Sequence, residues 1–452
     1  MDLVEKDKKK ITEDFCKMIQ CKTVSYIEPG LTDKKEFEKF TTLLTKCFPK
    51  LYSTADVYKV GNTGLVHKIK GINNIKGHGI VLMAHYDVVP AVKEEWSFEP
   101  FIGDVKHGRV RGRGTMDTKG TLCACLEAVE LNLKNGWKPA QDLYLCFSGE
   151  EEINGSTCSD IIDWFIKKNI TVDFVLDEGG AIVENCFPGV SKPCAMVGTE
   201  EKGSTYLDLI VSGETGHASA PPKNSCLGLA SKIVNMLEEK SPKAQYTPTV
   251  KELFKTMAKY NNNGFLSFLF KNLWLTKPVV NALSKKMRGD LYALTHTTLA
   301  VTKASASESY NVLPSSATIG MNFRLLGKDT TDKLTTRILK KARKITGKKA
   351  VVDIKIVSEG NPSRVSSTNC PEWNMLSKVI KTTWPEVIVS PYLMMACSDS
   401  RHYCRITDKV YRFSAMYMSK EDRAMIHGVD ESIKVDVLLK TVEFYCNLLQ
   451  EV

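Results

Sequence analysis

The fourteen cysteines of this chain include no C-x-x-C pair. Thiolate zinc sites need closely paired cysteines, so a site of that kind is not expected. No G-x-S-x-G segment occurs either, which removes the nucleophile elbow of the serine hydrolases. No apolar run reaches the ~18 residues of a membrane span. The longest candidate, around Phe265 to Leu275, is broken by Ser267, Lys271 and Asn272. Residues Met1 to Lys10 hold no apolar h-region, so no secretory signal is expected there. Internal repeats and low-complexity segments are missing. The net charge is +10, but no long basic block with interleaved aromatics accompanies it. The expectation is a cytoplasmic protein with free, mostly buried thiols, a basic solvated surface, and neither nucleic acid nor membrane as partner.

What is present is ordinary for a globular protein: 452 residues, 43% hydrophobic and 25% charged. At roughly 150 residues per domain, two or three domains are expected. Residues 33–48 and 119–134 carry helical signals. Apolar runs at 79–84, 143–147 and 174–176 read as buried strands. Continuous apolar strands alternating with helices imply an α/β fold whose mixed sheet is covered on both faces. The middle of the chain differs. Thr205 to Val211 alternates as a half-buried strand should. A helix at 226–239, strands near 297–305 and 316–325, a helix at 331–346 and a strand at 351–357 follow. That order predicts a smaller α+β, ferredoxin-like domain. Residues 240–296 interrupt it as a helical insertion. The expected organisation is a discontinuous large domain, 1–203 and 363–452, with an inserted domain at 204–362.

Acidic residues and histidines cluster at predicted strand ends, where open α/β sheets bind ligands. His85 and Asp87 follow the first strand, spaced so that both point the same way. Asp117 lies in Gly112-Arg113-Gly114-Thr115-Met116-Asp117. Glu150-Glu151-Glu152 follows the second strand and Asp177-Glu178 the third. His427 comes shortly before the final helix, predicted at 433–450. His85, Asp117, Glu152, Asp177 and His427 form an all-oxygen-and-nitrogen ligand set. It suits Zn²⁺, with Mn²⁺ or Co²⁺ as alternatives. Five ligands exceed what one catalytic zinc uses and fit two metals sharing a carboxylate.

These motifs resemble the co-catalytic di-zinc peptidases and deacylases: carboxypeptidase G, aminoacylase, acetylornithine deacetylase, succinyl-diaminopimelate desuccinylase and the dipeptidases. The matching segments are Met83 to Pro90, Trp96 with Pro100-Phe101, Gly112 to Lys119, Glu151-Glu152, Asp177, Gly216-His217, Asn311 to Pro314, Arg324 and His427-Gly428. The tryptophan motif and the insertion are most similar to the carboxypeptidase S and N-acyl-amino-acid hydrolase branch. The resemblance implies a metal pair, with His85 and Asp177 on one ion, Glu152 and His427 on the other, and Asp117 between. It makes Asp87 the group that orients His85, and Glu151 the general base. A shift of one residue would make Glu150 the base and Glu151 the ligand; Ile153-Asn154-Gly155 favours the first register. It gives His217 to the oxyanion, and Arg401, Asn311 and Arg324 to substrate contacts. The implied substrates are dipeptides or short peptides cleaved next to a free carboxylate, or alternatively N-acyl amino acids. A homodimer through the small lid domain is a further expectation.

Overall fold

A computed structural model describes residues 3–28, 30–73, 77–240 and 242–452. The run Gly79 to Ala84 forms the strand His78–His85, buried along nearly all its length. Such a strand has no solvent face and needs cover on both sides. It lies inside a nine-stranded sheet. From edge to edge the main path runs Asp56–Val60, Gly64–Ile69, Asp142–Ser148, His78–His85, Thr171–Asp177, Val410–Arg412, Cys194–Glu201 and Ile388–Met394. The ninth strand, Ile182–Val183, pairs with Cys194–Glu201. His78–His85 is parallel to both its neighbours, so three strand ends emerge side by side. The helix Lys119–Lys134 is buried throughout Lys119–Leu133. It packs on the final helix, Val435–Leu449.

A second, antiparallel sheet runs Thr298–Ser305, Ser316–Leu325, Gly203–Ser212, Val351–Ser358. Along Gly203–Ser212 buried and less buried residues alternate, because one face alone is covered. The covering helices are Cys226–Glu239 and Thr331–Thr346, through Leu229, Ile233, Leu334 and Ile338. The order strand–helix–strand–strand–helix–strand is the ferredoxin-like arrangement expected from the sequence. Lys202 alone separates Cys194–Glu201 from Gly203–Ser212. Its buried Nζ donates to the carbonyls of Ala293, at 3.0 Å, and His296, at 2.8 Å.

The insertion departs from expectation in where it packs. It forms four helices, Pro248–Lys259, Gly264–Lys271, Leu273–Met287 and Gly289–Thr295. Their inner side chains, among them Val250, Phe254, Phe270 and Val280, join the core of the large sheet and not that of the small one. Although 240–296 lies between elements of the smaller sheet in sequence, its inner side chains share a core with the large sheet. The apolar stripes are continuous in space with the strand Ile388–Met394, far away in sequence. Among the described residues no helix is long and apolar enough to cross a membrane. All fourteen cysteines are free, and ten are buried.

Candidate metal centre

His85 is the last residue of its strand, and Ser148 lies opposite it in register. The loops after these two strands and after Asp177 therefore share one edge of the sheet. Asp87, fully buried, ties two of them together. Its Oδ1 and Oδ2 accept the backbone N–H groups of Glu151, at 3.2 Å, and Glu152, at 3.1 Å. Ser25 donates to the same carboxylate at 2.7 Å. His85 Nδ1 faces the Asp87 carbonyl at 3.0 Å and its Oδ1 at 3.4 Å. With the Nδ1–H donating to Asp87, Nε2 presents a lone pair to the opposite side.

On that side Nε2 lies 3.0 Å from Asp117 Oδ1, 3.4 Å from Glu178 Oε1 and 4.0 Å from Glu151 Oε2. His427 Nε2 sits 3.0 Å from the other Asp117 oxygen and 3.1 Å from Glu152 Oε2. Asp117 thus stands between two histidines, one oxygen to each. Two ligand groups result: His85, Asp117 and Glu152, and His85, Glu151 and Glu178, with the ligand atoms of each group within 4.8 Å of one another.

The electrostatics are those of crowded carboxylates. Burial, then the nearby Asp117, push Glu178 up to about 8. Burial is also the main cause that raises Glu151, with Asp399, Glu178 and Glu152 adding to it. Asp117 is the exception: burial opposes ionisation, yet its bonds to His427 and His85 hold it below the usual carboxylate range. Hydrogen bonds to Asp117, then to Glu152, raise His427 to about 10. Glu152 Oε1 is buried without a hydrogen-bond partner. An orphaned carboxylate oxygen among acids that suppress one another's ionisation is what a pair of divalent cations would relieve. The donor set is oxygen and imidazole nitrogen, which fits Zn²⁺ and also Mn²⁺ or Co²⁺.

The structure departs from the sequence reading at one ligand position. Asp177 ends its strand buried, with Oδ2 unpartnered, and joins neither ligand group. Its neighbour Glu178 points into the cluster instead. Consecutive residues leave an extended chain on opposite sides, so Asp177 and Glu178 face different surroundings. Among the three consecutive glutamates, Glu150 turns away and accepts from Thr157 at 2.5 Å and Asn62 at 3.1 Å. Glu151 and Glu152 are the two that face the cluster.

Glu431, four residues beyond His427, is a further group that holds the cluster in place. Fully buried, it accepts from the backbone N–H groups of Gly114 and Met116 at 2.9 and 2.8 Å, and pairs with Arg113 at 2.8 Å. It so fixes the loop that ends in Asp117. Gly114 makes that loop possible: φ is +89°, and an added Cβ would lie 2.7 Å from Val88 Cγ1.

A cavity of about 450 Å³ opens beside the cluster, bordered by Asp117, Glu151, Glu152, Glu178 and His427. Its other walls are largely apolar: Met116, Met196, Met394, Met395 and Met418, with Phe187, Leu253 and Leu294. Leu253 and Leu294 come from the insertion. Arg423 is the one Lys or Arg side chain among the described lining residues. His217, Asn311, Arg324 and Arg401 do not line it. His217 is exposed on a two-stranded ribbon, Gly216–His217 against Val312–Leu313, with Asn311 next to it. Arg401 donates to the Asn361 carbonyl at 2.8 Å, and Arg324 approaches Cys397 Sγ at 3.6 Å.

Residues 81–451 match the model of Peptidase family M20/M25/M40. The chain belongs to this family. M20 membership makes it a metal-dependent hydrolase. It is 34% identical over 448 residues to the probable carboxypeptidase S-like 2 of Dictyostelium discoideum, covering 97% of this chain and 84% of that relative. It is 31% identical over 459 residues to the N-fatty-acyl-amino acid synthase/hydrolase PM20D1 of Xenopus tropicalis, covering 99% and 87%. In fold it is similar to the M20 metallo-carboxypeptidase Sso-CP2 from Sulfolobus solfataricus, with a TM-score of 0.69 at 21% identity over 96% of this chain and 97% of that one. The dinuclear metal-binding M20 peptidase YXEP of Bacillus subtilis has the same fold, with a TM-score of 0.62 at 12% identity over 99% and 98%.

Proposed function

We propose that this M20 hydrolase cleaves the amide of N-acyl amino acids whose acyl group is large and apolar, beside a free carboxylate. The observation that carries this reading is the methionine-rich cavity adjoining the carboxylate–histidine cluster. Methionines and leucines offer a long alkyl chain dispersion contacts and adaptable shape, and little to a charged peptide. The name of the Xenopus relative supports the same reading. Cleavage of dipeptides or short peptides is the second reading, supported by the carboxypeptidase S-like name of the Dictyostelium relative. The two share their machinery and differ in the acyl side.

His85 and Glu178 would hold one ion and Glu152 and His427 the other, with Asp117 between them. Two divalent cations there, zinc by preference, would supply charge stabilisation and a more acidic water. Asp87 fixes the direction of His85 and the backbone of both glutamates. Glu151 takes a proton from the attacking water at its carboxylate and returns it to the leaving nitrogen. Its burial among other acids raises its proton affinity, as that task requires. His217 would donate to the carbonyl oxygen as negative charge develops, arriving by closure of the small domain or from a second copy. Arg401, Arg324 and Asn311, with Arg423 on the cavity wall, are the candidate partners of substrate polar groups. Arg suits a carboxylate because its planar fork binds both oxygens.

A panel of N-acetyl, N-octanoyl and N-palmitoyl amino acids and dipeptides tests the reading on the metal-loaded protein. kcat/KM should climb with acyl length, by roughly tenfold for every two buried methylenes. A preference for dipeptides over every N-acyl substrate would overturn it in favour of the second reading.

A further inference from the structure

The insertion has an outer face with no partner. Residues 240–296 hold ten Lys and Arg against two acids, so most of the +10 of the whole chain is concentrated there. Between Leu253 and Gly289 there is no acid at all. Within that span lie Lys271, Lys277, Lys285, Lys286 and Arg288, all exposed. None of the five makes an ion pair among the described residues. The same two helices, Gly264–Lys271 and Leu273–Met287, bare their largest apolar side chains. Trp274 is 79% exposed, Phe265 64%, Leu275 58%, Phe268 52% and Val279 46%. On the second helix Trp274 and Pro278, and Leu275 and Val279, repeat at four-residue spacing and share a face. Leu269, Phe270, Leu273 and Val280 are turned inward and buried, so the helices are anchored while their outer surface is bare.

We propose that this face docks the protein on an anionic lipid bilayer, with both helices lying in the headgroup plane. Aromatic and aliphatic side chains flanked by lysines are the pattern of an interfacial helix. Charge complementarity selects the occupant. A second copy joined face to face would set five cations against five, with no acid on either side. A nucleic acid would accept the cations but gain nothing from Leu275 and Val279. A membrane span needs one long apolar run, whereas an interfacial helix needs one apolar face, which averaging along the sequence conceals.

The position of the face gives it a use, and this use rests on the N-acyl reading. Met287 and Arg288, at the end of the second helix, line a neighbouring cavity of about 630 Å³. That cavity and the one beside the metal cluster share Asn185, Cys186, Phe187, Asp290 and Leu294 as walls. A docked molecule would present these two adjoining cavities next to the bilayer, where long-chain acyl amino acids partition.

Vesicle co-sedimentation of the full chain tests the docking. The protein should pellet with vesicles of about 30% phosphatidylserine and stay in solution with pure phosphatidylcholine; binding should fade as salt rises from about 0.1 M to about 0.5 M. Trp274→Ser with Leu275→Ser, and Lys277→Glu with Lys285→Glu and Lys286→Glu, should each cut partitioning at least about tenfold. All five are exposed, so Tm and turnover of a soluble N-acetyl substrate should not change. Failure to pellet, or pelleting unaffected by both variants, overturns the proposal. So does a doubled mass in sedimentation equilibrium that the serine variant abolishes, or RNA binding lost in the glutamate variant without any vesicle binding. Vesicle binding with no preference for long acyl chains would leave the docking intact and defeat the N-acyl reading; the converse would defeat the docking alone.

Discussion

Glu431 reaches across from the C-terminal segment to hold Asp117: its Oε1 accepts the Asp117 backbone N–H at 3.3 Å and that of Met116 at 2.8 Å. Burial pushes the Glu431 carboxyl up, while the backbone donors and Arg113 pull it down. Glu431→Gln keeps the shape and loses the charge. Metal affinity should fall about 10–100-fold, the usual cost of disturbing a group that orients a ligand. Competition with a graded series of chelators measures this. Tm should drop too, because Arg113 would lose its buried partner.

Glu178 and Asp177 make opposite predictions. Glu178→Gln removes a charge within 3.4 Å of His85 Nε2 and should leave about one tightly held ion in place of two. Asp177→Asn should keep both. Metal content after dialysis separates them, and the reverse pattern would restore Asp177 as the ligand.

Glu151→Gln should retain both metals and lose turnover by about 10²–10⁴-fold, since it removes the proton carrier and no primary ligand. Glu150→Gln, a change in a residue turned away from the cluster, should leave turnover within a few-fold. Steady-state kinetics on the metal-loaded variants, with metal content measured in parallel, checks both.

His67 gives a pH effect remote from the metals. It is wholly buried between Tyr52 and Phe147 with neither ring nitrogen hydrogen-bonded. Burial lowers it to about 4 from 6.5. Between those values the unfolded ring binds a proton that the folded ring refuses. Stability is therefore lost as pH falls from 6.5 toward 4, on the order of 3 kcal/mol from this group. Urea unfolding at about pH 7 and about pH 4.5 should show His67→Phe losing less stability on acidification than the parent.

Local order was legible because its signals are short-ranged. The helices Cys226–Glu239 and Thr331–Thr346 and the strand Ser316–Leu325 begin and end where periodicity placed them. The loops that carry the carboxylate–histidine cluster were legible as well, since apolar runs ending in His85, Ser148 and Asp177 mark the carboxyl edge of a sheet. Three things were not. The exact residue at which the third strand releases the chain decides between Asp177 and Glu178, and composition does not encode it. The apolar stripe of 240–296 announces that it is buried but not against which core. Glu431 reads as one more acid before a helix until the loop from Gly112 to Asp117 is seen to lie across it; a carboxylate four residues beyond His427 was the available signal.

The wall of the cavity and the groups at its floor belong to separate stretches of chain. Leu253 and Leu294 come from helices that carry no residue of the carboxylate–histidine cluster, while His85, Asp117, Glu151, Glu152, Glu178 and His427 all lie outside 240–296. Those helices can therefore accept substitutions that reshape what the cavity holds without disturbing the carboxylate–histidine cluster. A lineage of such enzymes can diverge in diet while sharing one chemistry. For the same reason the segment cannot simply be excised: Val250, Phe254, Phe270 and Val280 would leave a breach in the large core.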